Sequence, residues 1–136
     1  MNPTPSRRPV SVAEVAEWSD SYREFGLNLK DFLHTLASAG KSPRERAALF
    51  AAEPRLLVGR FEEGELCDAF LAALADYSCR RCGIPSPTWS LNQSLSLARP
   101  WFSPDNLGLR ALVLRDTPSA FKDKNIFILP SALEVA

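Results

Sequence analysis

The sequence predicts a mainly α-helical protein that folds as a compact single-domain bundle of five or six helices, with one long anchored loop before the C-terminal helices. Two Ser-x-x-Glu segments, SVAE at 11–14 and SPRE at 42–45, have the form of helix-capping boxes. Apolar residues recur at helical spacing along 62–82. The 136 residues are 46% hydrophobic and 24% charged, which is typical of one ordinary globular domain.

The chain divides by composition into an arm and a domain. Residues 1–10 hold three prolines and two arginines, and we expect them to form a flexible arm. Residues 11–136 are expected to form the single helical domain. Within it, 11–60 predict a helical hairpin followed by a third helix, and 61–136 form a C-terminal module.

The first capping box predicts the start of the hairpin. Glu14 is expected to reach back to the amide of Ser11, which caps the first helix. Gly26 is expected to end this helix. The second helix is then expected to begin near Asn28 and to close at Gly40, because an apolar stripe lies between these two positions.

The third and fourth helices carry clear boundary signals. The third has Pro43 at its first position and is expected to stop before Pro54. The fourth covers about residues 62–82. Acidic residues lead it, arginines end it and Gly83 follows it, as the helix dipole and C-cap preferences favour.

The segment 84–102 departs from the helical period and is rich in proline and serine. We expect an ordered loop here, and a loop of nearly twenty residues is uncommon and often functional. Short helices are expected after Ser103 and Thr117 and at 130–136. The run 126–129 has the composition of a strand, although no partner strand is evident. The apolar side chains expected to anchor the loop are Trp89, Leu95, Leu97, Trp101 and Phe102.

Charge and composition limit the classes of function. Sixteen basic and sixteen acidic side chains cancel, whereas nucleic-acid binders usually carry a basic excess. The same balance gives little self-repulsion, so association with another protein or as a homodimer is easy. No segment approaches the ~20 apolar residues of a membrane span, and residues 1–10 lack the apolar part of a signal peptide. Three cysteines fit a reducing compartment, so we expect a cytoplasmic protein with no membrane partner.

Few residues offer catalytic or metal-binding chemistry. Cys79 and Cys82 form a C-x-x-C motif, but Cys67 lies roughly 18 Å from Cys79 along a straight helix, too far to share a metal ion. His34 is the lone histidine, and its helical neighbours are too common a pattern to indicate a catalytic pair. We therefore predict no catalytic residue, no metal and no cofactor, and a protein that is not an enzyme. A small enzyme using His34 or the cysteines, and a purely structural subunit, remain alternatives.

Positive charge concentrates in the second half of the chain. Residues 77–124 hold seven basic side chains against three acidic ones, interleaved with aromatic residues. This pattern is compatible with phosphate pairing and base stacking on RNA or DNA. It is equally compatible with an acidic protein surface, or with a solvated face above core aromatics. The basic residues are Arg80, Arg81, Arg99, Arg110, Arg115, Lys122 and Lys124.

The second half also follows a recurring order of motifs. After the fourth helix come Gly-x-Pro-x-Pro-x-Trp at 83–89, an aromatic pair at 101–102, Leu-Arg-Ala at 109–111, Pro-x-x-Phe at 118–121, basic residues at 122–124 and an apolar triplet at 126–128. In this order the chain resembles the C-terminal module of small bacterial Xre-type regulators and candidate antitoxins, which are encoded beside nucleotidyltransferase-like toxins. The match covers about half the chain.

The resemblance implies an antitoxin-like or adaptor protein that binds and neutralises a cognate protein partner, a nucleotidyltransferase-like toxin. The basic and aromatic second half would cover an acidic, metal-binding active site on that partner. We expect Lys122 and Lys124 to face solvent, and Phe121 and Phe127 to anchor the core or the interface. The residues expected to bind the partner are Trp89, Trp101, Phe102, Arg110, Phe121, Lys122, Lys124 and Phe127.

A DNA-binding transcriptional regulator of its own operon is the alternative function. Many proteins of the resembling group carry an N-terminal helix-turn-helix. Here the first 60 residues predict helices, but NLKDFLHTL at 28–36 is apolar and acidic and has little to contact base edges. The sequence KDK at 122–124 also replaces a run that is often all arginine. Both departures weaken the expectation of DNA binding and leave the partner-binding half intact.

Overall fold

Four α-helices occupy most of the first 81 residues of the chain. The computed structural model describes residues 8–38 and 42–134, without the side chains of 105–107. Residues 1–7 of the expected arm, and the expected helix end at Gly40, lie outside the described residues. The four helices are α1 (Val12–Glu17), α2 (Tyr22–Ala37), α3 (Pro43–Ala51) and α4 (Gly64–Arg81).

The first hairpin turns at residues 18–21, so the predicted turn at Gly26 is wrong. Gly26 and Asn28 both lie inside α2. The helix begins after Ser21, whose Oγ accepts a hydrogen bond from the Glu24 amide at 3.1 Å. The Glu24 carboxylate accepts in turn from the backbone amide one residue before Ser21, at 2.8 Å. This pair of hydrogen bonds fixes the start of α2 four residues before Gly26.

The two capping motifs singled out in the sequence both begin helices. The Ser11 hydroxyl accepts from the Glu14 amide at 3.2 Å. The Glu14 carboxylate accepts from the Val10 amide at 2.8 Å, so the expectation that it reaches the Ser11 amide is wrong by one residue. At α3 the capping box is reciprocal, because Ser42 and Glu45 each accept a hydrogen bond from the other's backbone amide. The prediction that these motifs begin helices is confirmed.

Helix α4 is the central element of the core. It packs against α2 and α3 and, in the second half, against the 3₁₀ turns at 88–91 and 93–95 and the short helix at 119–122, and it is buried on several sides. Alanines along α4 permit this close packing, since they occupy little volume between neighbouring helices. Gly83 follows the helix with φ of 69°, the left-handed conformation that the predicted C-cap requires. The largest fully buried side chains include Phe32, Phe50, Phe121, Leu57, Leu71, Leu74 and Ile126.

The connector between α3 and α4 is fixed to the first turns of α4. The Asp68 carboxylate accepts hydrogen bonds from the backbone amides of Leu57 at 2.7 Å and Val58 at 3.0 Å. Gly64 contacts the Leu57 backbone so closely that an added Cβ would overlap the Leu57 carbonyl oxygen. Glycine at position 64 is therefore required by the packing of the connector.

The second half consists of short elements around α4. The run 126–129, which had no evident partner in the sequence, pairs in part with the aromatic pair at 101–102 as a two-residue parallel ladder. Its elements are 3₁₀ turns at Thr88–Leu91, Gln93–Leu95, Pro104–Leu109 and Pro130–Leu133, strands β1 (Trp101–Phe102) and β2 (Ile126–Phe127), and helices α5 (Arg110–Asp116) and α6 (Ser119–Lys122). Over the described residues the fold is mainly α with six α-helices, as predicted. In the part of the chain described, none of the helices has the length and hydropathy of a membrane span.

Candidate protein-binding surfaces

The eight predicted partner-binding residues do not share one surface. Trp101 and Phe102 follow one another in β1, and successive side chains of a strand point to opposite sides. Trp101 lines a groove beside α2. Phe102 instead stacks on Phe127 of β2. The β1–β2 ladder therefore separates two candidate surfaces, one that includes Trp101 and one that includes Phe102.

The first surface is the stacked patch, defined here as Phe102, Arg110 and Phe127. The rings of Phe102 and Phe127 lie 4.9 Å apart and are nearly parallel, at 17°. Arg110, the first residue of α5, places its guanidinium carbon 4.1 Å from the centre of the Phe102 ring. Arg110 is exposed and both phenyl rings are partly exposed. This arrangement is a cation–π contact that orders a cation at the surface.

Exposed apolar and basic side chains lie on or next to α5, the helix that begins at Arg110. Leu114 lies one helical turn after Arg110 and is 47% exposed, and Leu109 is 46% exposed. Lys122 is also exposed, and its Nζ donates to the Arg115 carbonyl at 3.5 Å. Together with these side chains on or beside α5, the stacked patch gives the second half a surface of aromatic rings, exposed leucine and positive charge.

Phe121 and Lys124 are buried and belong to neither of the two candidate surfaces. Phe121 is fully buried, with its ring 5.2 Å from that of Phe70 and 5.9 Å from that of Tyr77, so it is a core anchor. Lys124 is 4% exposed, and the expectation that it faces solvent is wrong. Its Nζ donates to the Asn92 carbonyl at 3.0 Å, and burial lowers the pKa of the amine.

Trp89 anchors the long loop against α3. Its indole Nε1 donates to the Phe50 carbonyl at 3.0 Å, and the ring is half-buried. Further along the loop, Leu97 is buried and its amide donates to the Lys124 carbonyl at 3.1 Å. The expectation of an ordered loop held by apolar side chains is therefore confirmed at these two anchors.

A polar pocket of about 460 Å³, which was not predicted from the sequence, lies between the end of α4 and the loop. Its buried Asp76 carboxylate accepts from Arg80 Nε at 3.0 Å, from Arg80 Nη2 at 2.8 Å and from the Ser86 hydroxyl at 2.5 Å. Arg80 also reaches Asp123 at 3.2 Å. Both oxygens of the Asp76 carboxylate accept hydrogen bonds. Through these bonds and the Arg80–Asp123 ion pair, the long loop and the end of α6 are held against α4. The spacing of Asp76 and Arg80, four residues apart on a helix, was the sequence signal for this pair.

Much of the positive charge in the second half is neutralised or buried. Arg80 pairs with Asp76 and Asp123, and Arg115 pairs with Asp116 at 2.8 Å. An ion pair on an exposed surface contributes little stability, but it reduces the net charge that a partner meets. Among the described side chains, the exposed basic residues of 77–124 that form no ion pair are Arg81, Arg99, Arg110 and Lys122.

The cysteines are free thiols and lie mostly in the core. Cys67 and Cys79 are buried and Cys82 is partly exposed. Burial, followed by the nearby Asp68 charge, raises the pKa of Cys67 to about 12, so this thiol is a poor nucleophile near neutral pH. Among the residues described, no group of three or more His, Cys, Asp or Glu side chains is placed to hold a metal ion.

Comparisons of the chain with protein-family models, with curated proteins and with solved structures found no match. The resemblance of the C-terminal module, residues 61–136, to antitoxin-associated modules therefore stays a prediction.

Proposed function

We propose that the protein is an antitoxin-like or adaptor protein that binds and neutralises a cognate protein partner, a nucleotidyltransferase-like toxin. The observation that supports this function is the stacked patch, in which an exposed arginine without an ion pair among the described side chains lies on an aromatic pair. Arginine and aromatic side chains are enriched at the centres of protein interfaces. The exposed Leu109 and Leu114 beside Arg110 provide apolar area for the same contact.

The proposed mechanism is occlusion of an acidic active site. Enzymes that transfer nucleotides hold magnesium through carboxylates, and a guanidinium presents a planar set of donors that matches a carboxylate. The Phe102 ring already orders Arg110, so less side-chain entropy is lost when the partner binds. Lys122 adds a second exposed positive charge, which raises the rate constant for association with an acidic surface.

Charge reversal at Arg110 of the stacked patch and at Lys122, which contacts the end of α5, tests this proposal. The double variant Arg110→Glu with Lys122→Glu would face the partner's carboxylates with like charge. Breaking a desolvated charge pair costs about 2–5 kcal/mol, so we expect affinity to fall by roughly 30-fold or more. The measurement is the dissociation constant for the product of the neighbouring gene, together with rescue of growth when that product is expressed.

The control is Arg60→Glu, because Arg60 is an exposed arginine of the connector outside the second half. It changes net charge in the same direction and should leave affinity and rescue unchanged. Equal rescue by the wild type and the double variant would remove the stacked patch from the interface. Binding of operator DNA with a steep salt dependence, and no binding of the neighbouring product, would favour the transcriptional regulator instead.

A further inference from the structure

The second candidate surface is the α2 groove, which lies between α2, α4 and β1. It has a volume of about 420 Å³ and a lining that is almost entirely apolar. At Gly26 and Leu29 it continues into a second hollow of about 530 Å³ that extends toward Leu33 and His34. Side chains that line the first part include Tyr22, Leu27, Leu66, Phe70 and Trp101.

Apolar side chains in this groove are exposed although the core is close by. Leu27 is 53% exposed and Tyr22 is 42% exposed, and both belong to the first two turns of α2. A contiguous apolar patch with a charged edge is typical of an interaction surface. The dimensions and the helical walls suit a partner helix, which binds such grooves through residues one and two turns apart.

Gly26 is the feature of the α2 groove that the isolated fold does not explain. It lies in the interior of α2, where glycine is less favourable than alanine. A Cβ built at this position meets no heavy atom within 4 Å, so no intramolecular contact requires glycine. A glycine here leaves the helix backbone open to close approach by another chain.

Positive charge runs along one edge of the groove. Arg23 and Lys30 are seven residues apart, so they share one side of α2. Arg23 and Lys30 form no ion pair among the described side chains. They stand roughly 10 Å apart along the helix axis, since each residue adds about 1.5 Å. This edge is complementary to acidic residues placed two turns apart on a partner helix.

A second copy of the chain fits this edge poorly. In a two-fold symmetric contact the same patch meets itself, so α2 would cross α2 near Gly26. Arg23 of one copy would then approach Lys30 of the other, and like charges at close range oppose association. A helix of a different protein that carries acidic residues along the flank facing α2 avoids this repulsion and fills the same apolar area. The opposite wall carries Glu62, Glu63 and Glu65, which line a hollow together with Leu66 and Trp101, so acidic residues fit only the α2 flank.

We propose that the α2 groove binds an amphipathic helix of another protein, with apolar residues seated at Gly26 and Trp101 and acidic residues flanking them toward Arg23 and Lys30. The α2 groove and the stacked patch lie on opposite sides of β1, because Trp101 and Phe102 point in opposite directions. The proposal therefore does not rest on the function proposed above, and each can fail while the other holds.

Two synthetic helical peptides of about 18 residues provide the probe. They share one apolar face of leucine and phenylalanine, and their flanking residues are glutamate in one and lysine in the other. The readout is the indole N–H signal of Trp101 in NMR spectra, assigned with Trp101→Phe, with the Trp89 signal as an internal reference. We expect the acidic peptide to shift the Trp101 signal and to bind at least tenfold more tightly than the basic peptide.

Two variants make the test specific. Gly26→Leu places a side chain in the groove, has space for its Cβ and should reduce binding of the acidic peptide more than tenfold without loss of folding. Ala48→Leu adds the same side chain at an exposed position of α3 and should bind as the wild type does. Lys30→Glu should reverse the preference between the two peptides.

Several results would overturn the proposal. One is equal affinity for the two peptides, or no shift of the Trp101 signal at millimolar peptide. Another is full binding by Gly26→Leu. A wild-type protein that sediments as a dimer, and becomes monomeric as Gly26→Leu, would assign the groove to a second copy.

Discussion

Gly26 and Gly64 meet opposite environments although both lie in α-helices. An alanine at 64 would overlap the Leu57 carbonyl oxygen, whereas an alanine at 26 would project into open space. We expect Gly64→Ala to lower the free energy of unfolding by about 1–3 kcal/mol through overpacking. Gly26→Ala should raise it by about 0.5–1 kcal/mol through helix propensity. Urea denaturation of both variants measures the two changes, and effects of the same sign would contradict the packing described at one of the two positions.

Cys67 makes the free energy of unfolding depend on pH in the alkaline range. Its pKa rises from 9.0 in an ordinary environment to about 12, chiefly because it is buried. Between these two values the unfolded chain loses a proton that the folded chain keeps, so the free energy of unfolding falls as pH rises. In Cys67→Ala this contribution is absent, and the decline between pH 8 and pH 10.5 should be shallower than in the wild type.

Urea denaturation at the two pH values gives the comparison for Cys67. Each protein is compared with itself, so the small cavity left by alanine does not affect the difference. Cys79 has a pKa shifted in the same direction, again by burial first, and so part of the decline should remain. A variant that declines as steeply as the wild type would show that Cys67 titrates normally in the folded protein.

The long loop is the element whose order depends on contacts distant in sequence. Lys124 holds it from the turn after α6, through its Nζ on the Asn92 carbonyl. In Lys124→Met this hydrogen bond is lost, which corresponds to about 1 kcal/mol of local stability. We expect amide hydrogen exchange in 92–97 to become roughly fivefold faster. Lys122→Met, at the exposed neighbouring lysine, is the control and should exchange as the wild type does; equal rates in all three proteins would dismiss this anchor.

Elements whose signals are local were predictable from the sequence. The Ser42 capping box and the sequence of α4 with Gly83 predicted helices that the structure contains, because a few adjacent residues set each boundary. The start of α2 was missed because Gly26 was interpreted as a helix end. The segment SYRE, from Ser21 to Glu24, already carried a third capping signal.

Elements that depend on distant contacts were not predictable. Strands β1 and β2 have two residues each and lie more than twenty residues apart, which is too little pattern for either to indicate the other. The burial of Lys124 was missed for a related reason. Lysine is mostly exposed unless its amine has a hydrogen-bond partner in the interior, and here that partner, the Asn92 carbonyl, is distant in sequence. Trp101 and Phe102 are consecutive in β1, and their side chains point to opposite sides of the ladder. The single site predicted from the sequence is therefore divided between two surfaces.

At the scale of the whole molecule, equal numbers of basic and acidic residues leave little net charge for steering. Recognition is then expected to depend on local arrangement. The stacked patch carries an exposed guanidinium on aromatic rings, and the α2 groove carries apolar area beside a basic edge. Two separate surfaces suit an adaptor, because one partner can bind at each without competition.

The measurement that tests the central claim most directly is co-purification of the tagged protein with the product of the neighbouring gene, when the two genes are expressed together. The wild type and Arg60→Glu should recover that product in a fixed ratio and restore growth. Arg110→Glu with Lys122→Glu should lose both while retaining the wild-type melting temperature. Recovery of the product by the double variant at the wild-type ratio, or its absence from the wild-type preparation, would contradict the proposed function.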